Sequence, residues 1–78
     1  MKHLGKRIET AKQILIILQE EPTRWTPIIM ATIQNFTPWM VYSTLKWLEK
    51  RGYIVKPERG LYQITEKGKN LLNAITSF

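Results

Sequence analysis

Side chains able to do covalent or metal chemistry are scarce in this sequence. It has one histidine, His3, no cysteine and no aspartate, and its six glutamates are scattered among twelve lysines and arginines. Without cysteine there is no thiolate nucleophile, no disulfide and no sulfur-ligated metal. His3 lies in a basic N-terminal stretch, and no His/Asp/Glu cluster has metal-ligand spacing. P-loop, GxGxxG, HExxH and GxSxG motifs are all missing. These residues predict neither an enzyme nor a metal or cofactor site. What the chain does hold in quantity is cations and aromatics, the groups that recognise anions by charge and by packing. A net charge of +6 with a pI near 9.9 suits a polyanion or an anionic membrane surface. The charge is also uneven. Residues 46–69 carry seven Lys/Arg against three Glu, residues 1–12 four against one, and residues 13–45 one against two. Clustering of this kind is an electrostatic footprint, with a generic basic surface as the competing explanation.

The densest set of such residues lies in Thr37–Arg51, TPWMVYSTLKWLEKR, followed by Gly52. Thr37 suits an N-cap, because its hydroxyl can accept from an unpaired amide of the first turn. Pro38 fits N1, where its missing N–H costs nothing. Val41, Leu45 and Leu48 recur at i, i+4 and i+7 as an inward stripe. Arg51 complements the C-terminal end of the dipole, and Gly52 is predicted to take the left-handed position that closes the helix. Pro38, Trp39, Tyr42, Ser43, Lys46 and Lys50 are left facing outward. Trp47, two residues after Leu45, is expected to be partly buried against a neighbouring helix.

The elements that must position this helix follow in chain order. Seventy-eight residues make a single domain, 1–78, with residues 1–7 expected to be a frayed basic tail. A first helix is predicted from Ile8 to about Glu20, with Ile8, Ala11, Leu15 and Leu18 as its core stripe and Ile14 and Ile17 widening it. Ile16 falls on the polar side, either as a singly exposed apolar residue or as a dimer contact. Pro22 ends that helix, and Arg24 and Trp25 read as a short extended piece. Thr26-Pro27 repeats the cap-plus-N1 pair and opens a short helix through about Ile33. Asn35 is expected to take a left-handed turn between the two capped helices. That is a helix-turn-helix spacing. After Gly52 the pattern changes to Tyr53–Lys56 and Leu61–Ile64, two β-branched and aromatic runs around Pro57-Glu58-Arg59-Gly60. A hairpin with a four-residue loop and Arg59 at its tip is predicted. Thr65 caps a last helix with Glu66 in its first turn and Leu71, Leu72 and Ile75 buried. The class is α+β: helix, helix, helix, hairpin, helix. The longest apolar run, Ile14–Leu18, is far short of a membrane span, and no signal peptide is recognised. A cytoplasmic location is expected, nucleoid-associated if the chain is bound to DNA.

Thr37-Pro38, Val41, Leu45, Leu48, Glu49, Gly52, Tyr53-Ile54, Arg59-Gly60, Tyr62, Ile64-Thr65 and Lys67-Gly68 together resemble the winged-helix (winged helix-turn-helix) DNA-binding domain. The style is similar to the small MarR-like and PadR-like transcription regulators, and the likeness runs from about Ile8 to Ile75. It implies a three-helix bundle with a two-stranded β-hairpin wing and a C-terminal helix. It further implies that helix 37–51 enters the major groove while wing 53–64 follows the backbone or reaches toward the minor groove. Carried over by position, Thr37, Trp39, Tyr42, Ser43, Lys46 and Lys50 would face double-stranded DNA, with Lys56 and Arg59 as wing contacts. The family commonly places small polar or Arg residues on the outer helix face, so Trp39 and Tyr42 depart from its pattern.

That departure keeps two functional classes open. One is a small DNA-binding transcription regulator, as a homodimer reading two half-sites. The other is a winged-helix protein-interaction module in a transcription or replication assembly, with Trp39 and Tyr42 as its anchors. Single-strand binding on the same aromatics is a third possibility. Ile16, Leu71 and Phe78 are the residues expected to be left over for dimerisation.

Overall fold

The computed structural model describes the backbone of residues 2–77 and the side chains of residues 6–77; His3 and Phe78 lie outside the described side chains. Helix α1 (Lys2–Glu20) is followed by a two-residue strand β1 (Thr23–Arg24), α2 (Trp25–Thr32), α3 (Pro38–Lys50), strands β2 (Ile54–Glu58) and β3 (Leu61–Ile64), and α4 (Glu66–Thr76). The architecture is α+β, helices around a small antiparallel sheet.

Helix α1 is the spine: it packs against α3, α4 and β3. Its Ala11, Ile14, Leu15 and Leu18 meet Ile28 of α2, the Val41–Leu45–Leu48 stripe of α3, Ile54, Tyr62 and Ile64 of the sheet, and Leu72 of α4. The inward stripe of α3 is fully buried, as its spacing predicts. Thr44, between those turns, is also buried, and its Oγ1 has no hydrogen-bond partner among the described residues.

Both ends of α3 are closed by their own residues. Thr37 Oγ1 accepts from Met40 N at 3.2 Å. Gly52 has φ +84°, its N–H donates to Glu49 O and that of Tyr53 to Leu48 O, the pair of bonds that ends a helix on a left-handed residue. Helix α4 begins in the predicted way, with Thr65 Oγ1 accepting from Gly68 N at 3.1 Å.

Elsewhere the chain departs from the sequence-based expectation. Helix α1 starts at Lys2 rather than Ile8, and Ile8 is 43% exposed, outside the core. Helix α2 starts at Trp25, with Arg24 as an N-cap whose side chain makes no capping bond to the helix, so Thr26-Pro27 lies inside the first turn. The reason is strand pairing: β1 adds to β3 with Thr23 opposite Tyr62 and Arg24 opposite Leu61, and Trp25 N–H donates to Gly60 O at 3.0 Å. The sheet therefore has three strands in the order β1-β3-β2. Asn35 is not left-handed, since among the described residues no non-glycine has positive φ; instead the N–H groups of Asn35 and Phe36 both return to Thr32 O. The hairpin turn is Arg59-Gly60, because β2 runs on through Glu58. A bulge between Val55 and Glu58 accommodates Pro57, which cannot donate to the ladder. On α4 only Leu72 of the expected apolar face is buried, with Leu71 and Ile75 half-buried.

Candidate nucleic-acid interface

Because Val41, Thr44, Leu45 and Leu48 take the buried side of α3, the side directly opposite carries Trp39, Ser43, Lys46 and Lys50, recurring at i, i+4, i+7 and i+11. Trp39 is 75% exposed and Tyr42, on one flank, 40%. Lys46 and Lys50 are exposed and Ser43 is half-buried. Thr37 stands at the N-terminus of this face, exposed, with its hydroxyl engaged as the cap.

The aromatic flank is braced. The Tyr42 ring meets the Trp25 ring edge-on, with centroids 5.6 Å apart and planes at 86°. Trp39 lies 6.5 Å from Tyr42 at 37°, and Lys46 Nζ sits 5.6 Å from the Tyr42 centroid. Trp25 is itself packed against the core, so the exposed rings rest on a fixed base. Sequence reasoning missed Trp25, because its partner is on another helix and no periodicity within one helix links them. The other flank holds a second residue that the sequence placed in the tail: Arg7 of α1 donates from Nη1 to Ser43 O at 3.2 Å. The partial burial expected of Trp47 is present there, but its ring partner is Tyr53, on the link between α3 and β2, tilted against it at 6.1 Å, with the Arg51 guanidinium 5.1 Å from the Trp47 ring.

On the hairpin, Lys56 and Arg59 are both exposed. Lys56 Nζ lies 5.6 Å from the Tyr62 ring centroid, and the Arg59 side chain projects from the turn. The turn does not stand free. Arg24 Nη1 donates to Arg59 O at 3.4 Å and pairs with Glu58 at 3.5 Å. Both partners are more than half exposed, so this ion pair adds little stability; its consequence is to offset the one carboxylate beside Arg59. Trp25 joins the two parts of the surface, its ring against Tyr42 of α3 and its N–H on Gly60 of the turn. Lys67 is used elsewhere, donating to Arg51 O at 2.9 Å and stacking on Tyr53 at 5.1 Å.

Burial raises the phenol pKa of Tyr62 above its ordinary value, with Glu49 and then Tyr42 adding to the shift. Among the described residues no three His, Cys, Asp or Glu side chains come together as metal ligands, and no helix is long and apolar enough to cross a membrane.

No curated protein and no solved structure gives a significant match. Residues 6–78 match the non-catalytic family described as winged helix-turn-helix, in agreement with the element order and the hairpin after α3. Nearly the whole chain is covered, and the protein belongs to the winged helix-turn-helix family.

Proposed function

We propose that the protein binds double-stranded DNA as a small transcription regulator, with α3 in the major groove and the β2–β3 wing on the backbone. The single observation that carries this reading is the outer stripe of α3, Trp39, Ser43, Lys46 and Lys50, joined through Trp25 to a wing turn bearing Arg59. Cations at the rim of a groove-sized helix serve phosphates, and Ser43 and the ring edges are groups that can meet base edges. The capped N-terminus at Thr37 adds a positive dipole end. Lys56 and Arg59 are assigned to the backbone as wing contacts. The nearer kinship proposed is with the small MarR-like and PadR-like regulators, on the cadence from Thr37-Pro38 to Lys67-Gly68. A homodimer is proposed as the working unit, acting in the cytoplasm, since one such module covers little DNA. Exposed Ile16 and half-buried Leu71 are the residues assigned to that contact.

The test is anisotropy binding of mixed-sequence duplex across a salt series, with single strand as control. Duplex affinity should fall linearly in log salt with a slope implying several released counterions. Lys46→Ala and Arg59→Ala should each weaken binding, Arg59→Ala nearly uniformly across sequences and with a slope smaller by about one unit. Wild-type binding in both variants would remove α3 and the wing from the docking face. The exposure of Trp39 beside Tyr42 favours one second reading, a protein-interaction surface anchored on these two rings; it gains if duplex binding is absent at low salt.

A further inference from the structure

Arg7 does not lie in a detached tail. It is half-buried on the second turn of α1, and its guanidinium reaches across to α3 and donates to the carbonyl of Ser43. Arg7 also lines an open depression of about 650 Å³ together with Ser43, Lys46, Trp47, Glu49 and Lys50. Three cations thus surround this hollow against one carboxylate, Glu49, and none of the four is in an ion pair: among the described residues the pair between Arg24 and Glu58 stands alone. A guanidinium has five N–H donors. One hydrogen bond to Ser43 O orients the fork and leaves further N–H groups for an anion. The hollow also opens beside the outward stripe of α3 rather than on a remote side of the molecule, because Ser43, Lys46 and Lys50 belong to both.

We propose that Arg7, Lys46 and Lys50 form a phosphate-binding site that holds the DNA backbone at the edge of the groove occupied by α3, with α1 contributing its cation to the docking surface. The site rests on the DNA-binding reading and deepens it. Arg7 supplies a bidentate, pre-oriented contact, Lys46 and Lys50 supply point charges on adjacent turns, and Trp47 lines the hollow beside them. Phosphate contacts set register without reading sequence, so the effect of Arg7 should be the same on every duplex.

The experiment uses the full chain, fluorescein-labelled mixed-sequence duplex and a salt series. Arg7→Gln retains a donor for Ser43 O and removes the charge; Arg7→Lys retains the charge; Lys12→Gln removes an equal charge from α1 away from the hollow. Circular dichroism melting of each variant checks that α1 is still folded. The expected result is that Arg7→Gln lowers the log–log salt slope by about one unit and the affinity about tenfold near 0.1 M salt, the loss of one released counterion. Arg7→Lys should keep most of the slope, and Lys12→Gln should stay near wild type. If Arg7→Gln behaves like Lys12→Gln while Arg59→Ala still weakens binding, the Arg7 site is overturned and DNA binding by α3 and the wing stands. If the wild-type chain shows no salt-dependent duplex binding, both fall together.

Discussion

Two glycines hold the backbone on which α3 and the wing are mounted, for different reasons. Gly52 has φ +84°, a conformation that costs an L-residue about 1–2 kcal/mol. Gly52→Val should therefore lower stability by about 1 kcal/mol or more, measured by urea denaturation. Gly68 has an ordinary helical backbone but no room. A Cβ there would run into the Tyr53 carbonyl oxygen and come within 2.8 Å of Ile64 Cγ1. Since the first obstacle is backbone, Gly68→Ala should cost about 1–3 kcal/mol by forcing α4 away from the sheet, although alanine is the better helix former. A gain in stability for Gly68→Ala would show that α4 does not pack this closely. Tyr62 gives the residue scale a pH signature. Its folded pKa is raised above 10.0 by burial, then by Glu49 and Tyr42, so the folded state holds this proton more tightly than the unfolded chain. The resulting stability is fully present below the unfolded pKa and is lost as pH rises through the folded one. Melting temperature measured from about pH 8 to about pH 11 should fall more steeply for wild type than for Tyr62→Phe; parallel curves would contradict the shift.

At the scale of elements, α3 was legible in the sequence because each boundary residue has its own local reason: Thr37 accepts, Pro38 lacks the donor, and Gly52 turns left-handed. Helix α4 was legible through Thr65 in the same way. Thr65 also donates its hydroxyl toward Gly52 O and Tyr53 O, at 2.7 and 3.0 Å, so it ties the end of α3 to the start of α4. Thr65→Ala should lose about 1–2 kcal/mol, at the upper end of a simple cap, with the loss seen in thermal melting and shared by Thr65→Val. The start of α2 was not legible. Thr26-Pro27 has the composition of a cap, but two residues pair as β1 with β3 and carry the chain into the helix two residues earlier. A strand of two residues has no alternation to detect. The α3 stripe was visible from spacing, whereas Trp25 and Arg7 enter the site through contacts between helices, which spacing within one helix does not encode.

For the whole molecule, one small core centred on α1 must support an exposed basic and aromatic surface. Exposure of Trp39 and the concentration of like charge along α3 work against stability, and are consistent with a surface completed by an anionic ligand. Such a ligand stabilises the folded chain by mass action. In the proposed function, α3 and the wing turn, bridged by Trp25, form one DNA-docking surface. Its most direct test is a titration of the isotope-labelled protein with mixed-sequence duplex, followed by amide and indole chemical shifts. The largest changes are expected at Trp39, Ser43, Lys46 and Lys50, the Trp39 indole and Arg59-Gly60, with the outer residues of α4 such as Asn70 and Asn73 unmoved. Shifts confined to α4, with α3 and the wing turn silent, would contradict it.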